Sequence, residues 1–219
     1  MREVTPGLVD AGFFVSVEGL DGSGKTTQVG LLAEALSRLG RRVTVVRDPG
    51  STGLGERVRE LLLEPSGGSP MAPWAETALF LASRLQLAAE VIGPALAAGE
   101  VVVSDRYLDS TLAYQGARGL APQDIMTLHQ VCGLERLPNL TLVLDLPVEV
   151  AANRRGSGTP DRMELEATSY HERVRSGYLG LARRFPDRLV ILDATRPADE
   201  LARICRELAI GRLTVGRET

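Results

Sequence analysis

The chain is poor in lysine, histidine and cysteine. Among its 25 basic side chains Lys25 is the single lysine, and there are two histidines and two cysteines. Cys132 and Cys205 lie far apart, form no C-x-x-C motif and do not group with His129 or His171. The sequence therefore indicates neither a disulfide framework nor a zinc site. This cysteine usage is typical of a reducing cytoplasm, where we expect the protein.

Charge and hydropathy set further limits. A net charge of −3 offers no basic face to release counterions from a nucleic-acid backbone, so we expect no polymeric DNA or RNA partner. No uninterrupted apolar run reaches the roughly 20 residues that span a bilayer, so we expect no membrane partner. The first residues lack the apolar stretch of a secretory signal. We expect one domain over 13–212, a loose extension over 1–12 and a tail over 213–219.

Short apolar segments alternate with helical patterns along the chain. Because each crossover between parallel strands lays a helix on the sheet, this order predicts an α/β fold with three layers, α/β/α, around a five-stranded parallel sheet. Glu18, Asp105 and Asp145 lie near strand ends, where the ligands of such sheets gather. The predicted strands are 12–18, 43–47, 101–105, 140–147 and 188–194.

The segment from Gly19 to Thr26 fits the pattern G-x-x-x-x-G-K-[ST] and lies between a predicted strand and a predicted helix. Glycines let successive N–H groups face phosphate oxygens, and the helix N-terminus adds positive charge. Lys25 would reach the β and γ phosphates of ATP, and the Thr26 hydroxyl would ligate Mg²⁺. A chance Gly-Ser turn is the alternative. The predicted ATP-binding residues are Gly19, Leu20, Asp21, Gly22, Ser23, Gly24, Lys25, Thr26 and Thr27.

The chain can be placed among the proteins that carry such a loop. A regulatory GTPase reads guanine with an N-K-x-D element, which is excluded because no second lysine exists. Motor-type ATPases also place an acid at a strand end, but here Arg106 directly follows Asp105. This adjacency suits a site that holds Mg²⁺ and a second phosphorylated substrate, and an ordinary ion pair between the two is the alternative.

Six segments resemble the thymidylate kinase family in its own order and cover nearly all of residues 13–195. They are EGLDGSGKTT, RDPGSTGLGERVRELLL, FLASRLQ, SDRYLDSTLAYQGARGL, LTLVLDLPVEVA and DRMELE with RVRSGYLGLA. The resemblance implies phosphoryl transfer from ATP to thymidine 5′-monophosphate (dTMP), giving the diphosphate (dTDP), on the P-loop nucleoside monophosphate kinase fold. It also implies a homodimer through long helices, for which the apolar stretch 78–98 would supply a face. We expect this stretch to bend at Pro94.

The resemblance further implies a dTMP site. Asp21 resembles the carboxylate that accepts a hydrogen bond from the sugar 3′-hydroxyl. Phe80 and Arg84, one helical turn apart, resemble the pair that stacks on thymine and hydrogen-bonds its O4. A core phenylalanine and an ion-paired or solvated arginine are the alternatives. Arg59 and Arg106 resemble the arginines that grip the acceptor phosphate.

Three further helical positions belong to the implied site. Thr111 and Gln115 resemble residues that contact the N3 and O4 edge of the ring, and Tyr114 resembles the residue that crowds the sugar 2′ position. A helix N-cap threonine and a packed tyrosine are the alternatives.

The predicted metal-binding residues are Thr26 and Asp105, the latter binding Mg²⁺ directly or through water.

Residues 153–162, NRRGSGTPDR, are basic and interrupted by glycine and proline, as in a mobile lid. In the family this region closes over ATP and excludes water. The glycine loop carries no arginine, so the chain resembles members whose charge-stabilising arginine comes from the lid. Arg154, Arg155 and Arg162 are the candidates, and with Lys25 and Arg106 they complete the predicted catalytic residues. Spacing does not decide which of the three acts.

At three positions the chain departs from the residue that is commonest in the family: Asp48 where glutamate is usual, Ser51 where glycine is usual and Ser83 where aspartate is frequent. The shorter Asp48 puts its contact with a metal-bound water or an arginine in question, and Ser51 lacks the conformational freedom of glycine. Two alternatives stay open: a kinase for another nucleoside or nucleotide, and a catalytically silent nucleotide-binding protein. The residues do not decide how strictly dTMP is preferred over dUMP.

Overall fold

The computed structural model describes residues 12–64, 71–155 and 161–215. Its five strands form one parallel sheet in the order β2-β3-β1-β4-β5. The strands are β1 (Phe13–Gly19), β2 (Val43–Arg47), β3 (Val101–Asp105), β4 (Leu140–Asp145) and β5 (Leu189–Asp193). The predicted sheet is confirmed, with β2 and β3 at their predicted bounds. The centre of the predicted lid, 156–160, and most of the predicted extension lie outside the described residues.

Helices connect the strands. Helices α1 and α9 pack against each other over the sheet, as do α5 and α8, which confirms the three-layer α/β/α arrangement. The helices are α1 (Lys25–Arg38), α2 (Gly53–Leu63), α3 (Pro73–Leu87), α4 (Gly93–Ala97), α5 (Leu108–Ala117), α6 (Pro122–Val131), α7 (Val148–Arg154), α8 (Thr168–Arg184) and α9 (Ala198–Val215).

Strand β1 forms the centre of the core, and all seven of its residues are buried. This explains its continuous apolar pattern, since both faces of a parallel sheet are covered. The one hydroxyl on this strand, Ser16, is paired with the hydroxyl of Thr141 at 3.0 Å. In the register of the sheet Val17 pairs with Asp105 and Gly19 with Leu144. The glycine loop and the acidic end of β3 are therefore brought to one edge of the sheet.

A π-helical turn over Ala88–Ile92 connects α3 to α4 just before Pro94, the position at which a bend was predicted. Proline has no N–H to donate to the preceding turn, and the wider π turn accommodates this. By length and composition alone Pro73–Ala97 could cross a membrane, with a mean hydropathy of 1.3. It packs against α2 and α5 and carries buried ion-paired side chains, Glu76 and Arg84, which are the features of a core helix.

Candidate active site

The loop between β1 and α1 has the backbone of an anion cradle. Gly22 has a φ of +87°, and a Cβ added there would lie 2.2 Å from the carbonyl oxygen of Ala151. Gly24 has a φ of +91° immediately before α1. Only glycine adopts these conformations without strain. The first turn of α1 contains no acidic residue, so its N–H groups present an undiminished positive end to an anion.

A cavity of about 750 Å³ opens in front of this loop, and we call it the wide cleft. Basic side chains outnumber carboxylates in its lining, so the cleft favours a polyanionic ligand. The basic residues are Lys25, Arg47, Arg59, Arg106, Arg154 and Arg155, and the acidic ones are Asp21, Asp105 and Glu164.

Lys25 is the first residue of α1 and only 7% exposed. Its Nζ donates to the carbonyl oxygen of Leu20 at 2.9 Å and lies 3.6 Å from the Asp21 carboxylate. Burial and the nearby Arg106 lower the pKa of Lys25 to about 8, although Asp21 acts in the opposite direction. At neutral pH the loop thus holds a compact, protonated ammonium group at the wide cleft.

Thr26 and Asp105 meet in the wide cleft, where the threonine hydroxyl donates to the carboxylate at 2.7 Å. The alternative ion pair of Asp105 with Arg106 is not formed, because the Arg106 guanidinium pairs with Asp21. Within the described ranges, no group of three or more His, Cys, Asp or Glu side chains could hold a metal. A nucleotide-bound Mg²⁺ needs only one or two protein oxygens, since it keeps water and phosphate ligands. The Thr26 hydroxyl and the Asp105 carboxylate fit that requirement.

A second cavity, of about 70 Å³, is bounded by α3, α5 and the loops after β1 and β2, and we call it the small pocket. Asp21, Arg59 and Arg106 line both cavities. The other lining residues are Asp48, Pro49, Leu63, Phe80, Arg84, Ser110, Thr111, Tyr114, Gln115, Asp161 and Met163. All eight residues predicted for dTMP are therefore brought to one pocket.

Arg106 and Asp21 form the wall between the two cavities. Arg106 has a left-handed backbone, with a φ of +71°. Its Nη2 donates to Asp21 at 2.6 Å and to the Tyr114 hydroxyl at 3.2 Å, while Nη1 donates to the carbonyl oxygen of Gly19 at 3.0 Å. Burial alone would raise the pKa of Asp21, but Arg106 and Lys25 hold it below its ordinary value. The Asp21 carboxylate is consequently ionised.

Arg84 is 1% exposed and lines the small pocket. Its Nε donates to Asp48 at 2.5 Å and its Nη2 to the Thr111 hydroxyl at 2.9 Å, while its Nη1 lies 2.7 Å from Nε2 of His129. Because Nδ1 of His129 lies 2.8 Å from the carbonyl oxygen of Ile125, Nδ1 carries the proton and Nε2 accepts from Arg84. Burial and Arg84 lower the pKa of His129 to about 4, so the imidazole is neutral.

The surroundings of Arg84, Phe80 and Thr111 bear on the alternatives that the sequence left open for them. Arg84 is ion-paired, as one alternative held, yet it also lines the pocket. Phe80 is only half-buried and lines the pocket too, so it is not a simple core residue. Thr111 lies inside α5, which begins at Leu108, so the N-cap alternative is wrong.

Gln115 is buried in the wall of the small pocket. Its Nε2 donates to Glu76 Oε1 at 2.8 Å, whereas its own Oε1 is buried without a hydrogen-bond partner. Glu76 is completely buried and is also bound by Arg118 at 3.0 Å and Arg162 at 2.5 Å. The wall of the small pocket thus contains a buried acceptor without a hydrogen-bond partner, and buried polar atoms in folded proteins nearly always have one.

The three lid arginines occupy different places. Arg154 and Arg155 line the wide cleft, and Arg154 donates to the carbonyl oxygen of Ala194 at 2.8 Å. Arg162 instead donates to Glu76 and to the carbonyl oxygen of Leu62 at 2.9 Å, and the linings of the wide cleft and the small pocket do not include it.

The sequence analysis assigned no supporting role in the site to three buried residues, Glu18, Glu76 and His129. Glu18 accepts hydrogen bonds from the backbone of Tyr107 at 2.7 Å and from Ser110 at 2.5 Å, and burial with nearby Asp109 raises its pKa to about 7. One signal was available for Glu76. It stands four and eight residues before Phe80 and Arg84, on the same helical face.

The three residues that differ from those commonest in the family, Asp48, Ser51 and Ser83, each form a hydrogen bond with a neighbouring group. Ser51 adopts a φ of +62°, the region that favours glycine, and its hydroxyl accepts from the Arg47 N–H at 2.8 Å. The Ser83 hydroxyl accepts from the N–H of Gly50 at 3.3 Å. Asp48, despite its shorter side chain, reaches Arg84.

Comparison with known proteins gives a consistent result. The sequence model described as thymidylate kinase matches residues 17–204. A thymidylate kinase of Deinococcus radiodurans is 47% identical over 194 residues, covering 87% of this chain and 92% of the relative. One from Desulfosudis oleivorans is 44% identical over 198 residues, covering 86% of this chain and 92% of the relative. The crystal structure of thymidylate kinase from Ehrlichia chaffeensis superposes with a TM-score of 0.69 at 31% identity, covering 83% of this chain and 93% of that one. The chain belongs to the thymidylate kinase family.

Proposed function

We propose that the wide cleft binds ATP and the small pocket binds dTMP, with phosphoryl transfer at the wall between them. As a member of its family the chain is a nucleoside monophosphate kinase, which phosphorylates dTMP to dTDP in the synthesis of dTTP. The observation that carries the site assignment is the sharing of Asp21, Arg59 and Arg106 by both cavities. A direct transfer requires donor and acceptor phosphates side by side in such a place.

On the donor side, the loop from Gly19 to Thr27 holds the ATP phosphates through its backbone N–H groups. Lys25 places its ammonium group between phosphate oxygens, which suits its compact shape. The Thr26 hydroxyl and the Asp105 carboxylate hold Mg²⁺, the latter directly or through water. When bound, Mg²⁺ neutralises charge on the phosphates.

On the acceptor side, Arg59 and Arg106 hold the dTMP phosphate with charge-assisted hydrogen bonds. Asp21, ionised beside Arg106, accepts from the sugar 3′-hydroxyl. Tyr114, whose ring lies against the Arg106 guanidinium at 5.0 Å, crowds the 2′ position and disfavours a ribose.

The base is held by residues of α3 and α5. Phe80 stacks on thymine, and Arg84 donates to its O4. Thr111 and Gln115 face the N3 and O4 edge, where the unsatisfied Oε1 of Gln115 accepts from the ring N3–H. A donor facing O4 and an acceptor facing N3–H together favour thymine or uracil over cytosine.

The transferring phosphoryl group is stabilised by an arginine of the predicted lid, 153–162. Arg154 and Arg155 are supported for this role because they line the wide cleft. Arg162 is the third candidate, although its guanidinium binds Glu76. Such a group contributes about 10³-fold or more to the rate of phosphoryl transfer.

An ADP-release assay over a panel of monophosphates tests the function. We expect the highest kcat/KM for dTMP, with dUMP next because it has the same ring edge. A clear preference for CMP or UMP would instead support a kinase for another nucleotide. A preference for CMP would contradict the roles of Phe80, Arg84 and Gln115, whereas a preference for UMP, which has the same ring edge as dUMP but carries a ribose, would contradict the role of Tyr114. No ADP release with any acceptor would support a catalytically silent nucleotide-binding protein.

The assembly and location belong to the same proposal. We expect a cytoplasmic homodimer with one domain over 13–212, without polymeric nucleic acid or membrane partners. The dimer face is the apolar stretch 78–98. It begins near Trp74, which is 43% exposed, and Ala78 and Ala89 are exposed along it.

A further inference from the structure

We infer that Glu76 is a positioning residue that fixes the side-chain amide of Gln115, so that the small pocket reads the hydrogen-bonding edge of the pyrimidine. The inference rests on the proposed base site and deepens it. The pocket would thereby select rings that carry N3–H and a 4-oxo group, such as thymine, over rings that carry an unprotonated N3 and a 4-amino group, such as cytosine.

The side-chain amide of Gln115 can bind Glu76 in only one orientation. A glutamine side chain has one end that accepts and one that donates, and the two ends can exchange by rotation. An ionised carboxylate can only accept, so Glu76 can bind only the Nε2 end of Gln115, which it does at 2.8 Å. A rotated amide would bring two acceptor oxygens together and lose this hydrogen bond. The orientation therefore follows from the chemistry of the two side chains.

The position of Glu76 is fixed by two arginines. The residue is 0% exposed in α3, and its Oε1 also accepts from Nε of Arg118 at 3.0 Å. Its Oε2 accepts from Nη2 of Arg162 at 2.5 Å. Arg162 is itself tied to the carbonyl oxygen of Leu62 at 2.9 Å. Two guanidinium groups thus hold the carboxylate in one place and offset its buried charge.

The small pocket is lined by both Gln115 and Arg84. With Nε2 engaged by Glu76, the buried Oε1 of Gln115 is left without a partner. Arg84 also lines the small pocket, and after its hydrogen bonds to Asp48, His129, the Tyr107 carbonyl and Thr111 its second Nη1 N–H group is the donor available for a ligand. An acceptor for N3–H and a donor for O4 match thymine. Cytosine places a bare nitrogen against Gln115 and an amino group against Arg84, so both contacts are lost.

The test compares dTMP with 5-methyl-2′-deoxycytidine monophosphate, which differs from dTMP only at this edge. For the wild-type chain and for Glu76→Gln, Kd by calorimetry and kcat/KM would be measured for both ligands and for dUMP. Because the glutamine side chain introduced in Glu76→Gln can donate as well as accept, it would allow the Gln115 amide to rotate and exchange its two ends. We expect the preference for dTMP over the methylcytidine ligand to fall at least tenfold, while the ratio of dTMP to dUMP stays within twofold. Glu207→Gln, which alters an exposed ion pair on α9, serves as the matched control and should change neither ratio.

Several results would overturn the inference. One is a wild-type enzyme that phosphorylates dTMP but binds dTMP and the methylcytidine ligand with equal affinity. Another is an equal loss of affinity and kcat/KM for all three ligands in Glu76→Gln, which would show that Glu76 has only a structural role. The double variant Glu76→Gln with Gln115→Glu keeps one carboxylate and one amide in the cluster and again faces the pocket with an acceptor. The double variant should keep its preference for dTMP over the methylcytidine ligand within threefold of the wild-type value. Loss of that preference also overturns the inference, and this test remains available if Glu76→Gln alone does not fold. A wild-type protein inactive on dTMP would instead contradict the proposed function.

Discussion

The Nη2 atom of Arg106 donates to the Asp21 carboxylate at 2.6 Å, and this ion pair stands between the wide cleft and the small pocket. The two residues come from different strand ends, since Asp21 follows β1 and Arg106 follows β3. Adjacent parallel strands bring them together. The same pair can thus organise the donor loop and the acceptor phosphate at once.

Asp21→Asn should lower kcat/KM for dTMP by about 10- to 100-fold, the range expected for a lost hydrogen bond to a charged group. The measurement is a cycle with 3′-deoxythymidine monophosphate, which lacks the hydroxyl that Asp21 is proposed to bind. Removing the hydroxyl should harm the wild type strongly and Asp21→Asn little. Additive losses would show that the carboxylate does not contact the sugar.

Lys25→Arg should bring turnover close to background while the fold is retained, because a planar guanidinium does not fit where the buried ammonium group lies. Steady-state kinetics and circular dichroism measure the two effects. Arg38→Lys, the reverse exchange at an exposed position of the same helix, is the matched control and should leave turnover unchanged. Most of the turnover surviving in Lys25→Arg would contradict the assigned role.

ATP affinity should weaken as the pH rises through about 8. The pKa of Lys25 is lowered to about 8 in the free protein, so the ammonium charge is present below that pH and lost above it. Calorimetric titration with ATP between pH 6.5 and 9.5 measures the effect. An affinity that stays constant across this range would show that the charge of Lys25 does not contribute to ATP binding.

Arg155→Ala should reduce kcat by about 10³-fold with a smaller change in KM, since an arginine that stabilises the transferring phosphoryl acts mainly in the transition state. Single-turnover phosphoryl transfer measures this directly. Arg183→Ala, at an exposed position of α8, controls for the loss of a positive charge. If Arg154→Ala or Arg162→Ala has the larger effect on kcat, that residue takes the role instead.

Sedimentation velocity at micromolar concentration should show a species of twice the 23.5 kDa chain mass. The exposed alanines of α3 would be covered in such a dimer, so Ala78→Arg should shift the population to monomer. Finding only monomer in the unmodified protein would exclude the dimer at that concentration.

Local patterns were sufficient to predict the sheet and the donor loop. Strand β3 matches its predicted bounds because VVVSD begins with three consecutive valines and ends in an acid. The loop from Gly19 to Thr26 was evident because its function depends on glycines at fixed spacing. Both features are encoded in consecutive residues.

Contacts between distant residues could not be predicted in the same way. Arg84 and His129 are 45 positions apart, and Gln115 and Glu76 are 39 apart. No periodicity links such pairs, and the resemblance named the residues that face the ligand but not those that support them. The π-helical turn at Ala88–Ile92 also escaped, because proline predicts a bend without specifying how the backbone accommodates it.

The guanidinium groups around the shared wall have a thermodynamic consequence. Burial, together with the charges of Arg47 and Arg106, lowers the pKa of Arg59, which means that these cations repel one another in the free protein. An anion in either cavity relieves that repulsion, and Arg59 and Arg106 line both cavities. The first substrate to arrive therefore changes the electrostatic potential that the second one meets. By linkage, the factor by which bound dTMP changes the Kd of ATP must equal the factor by which ATP changes the Kd of dTMP.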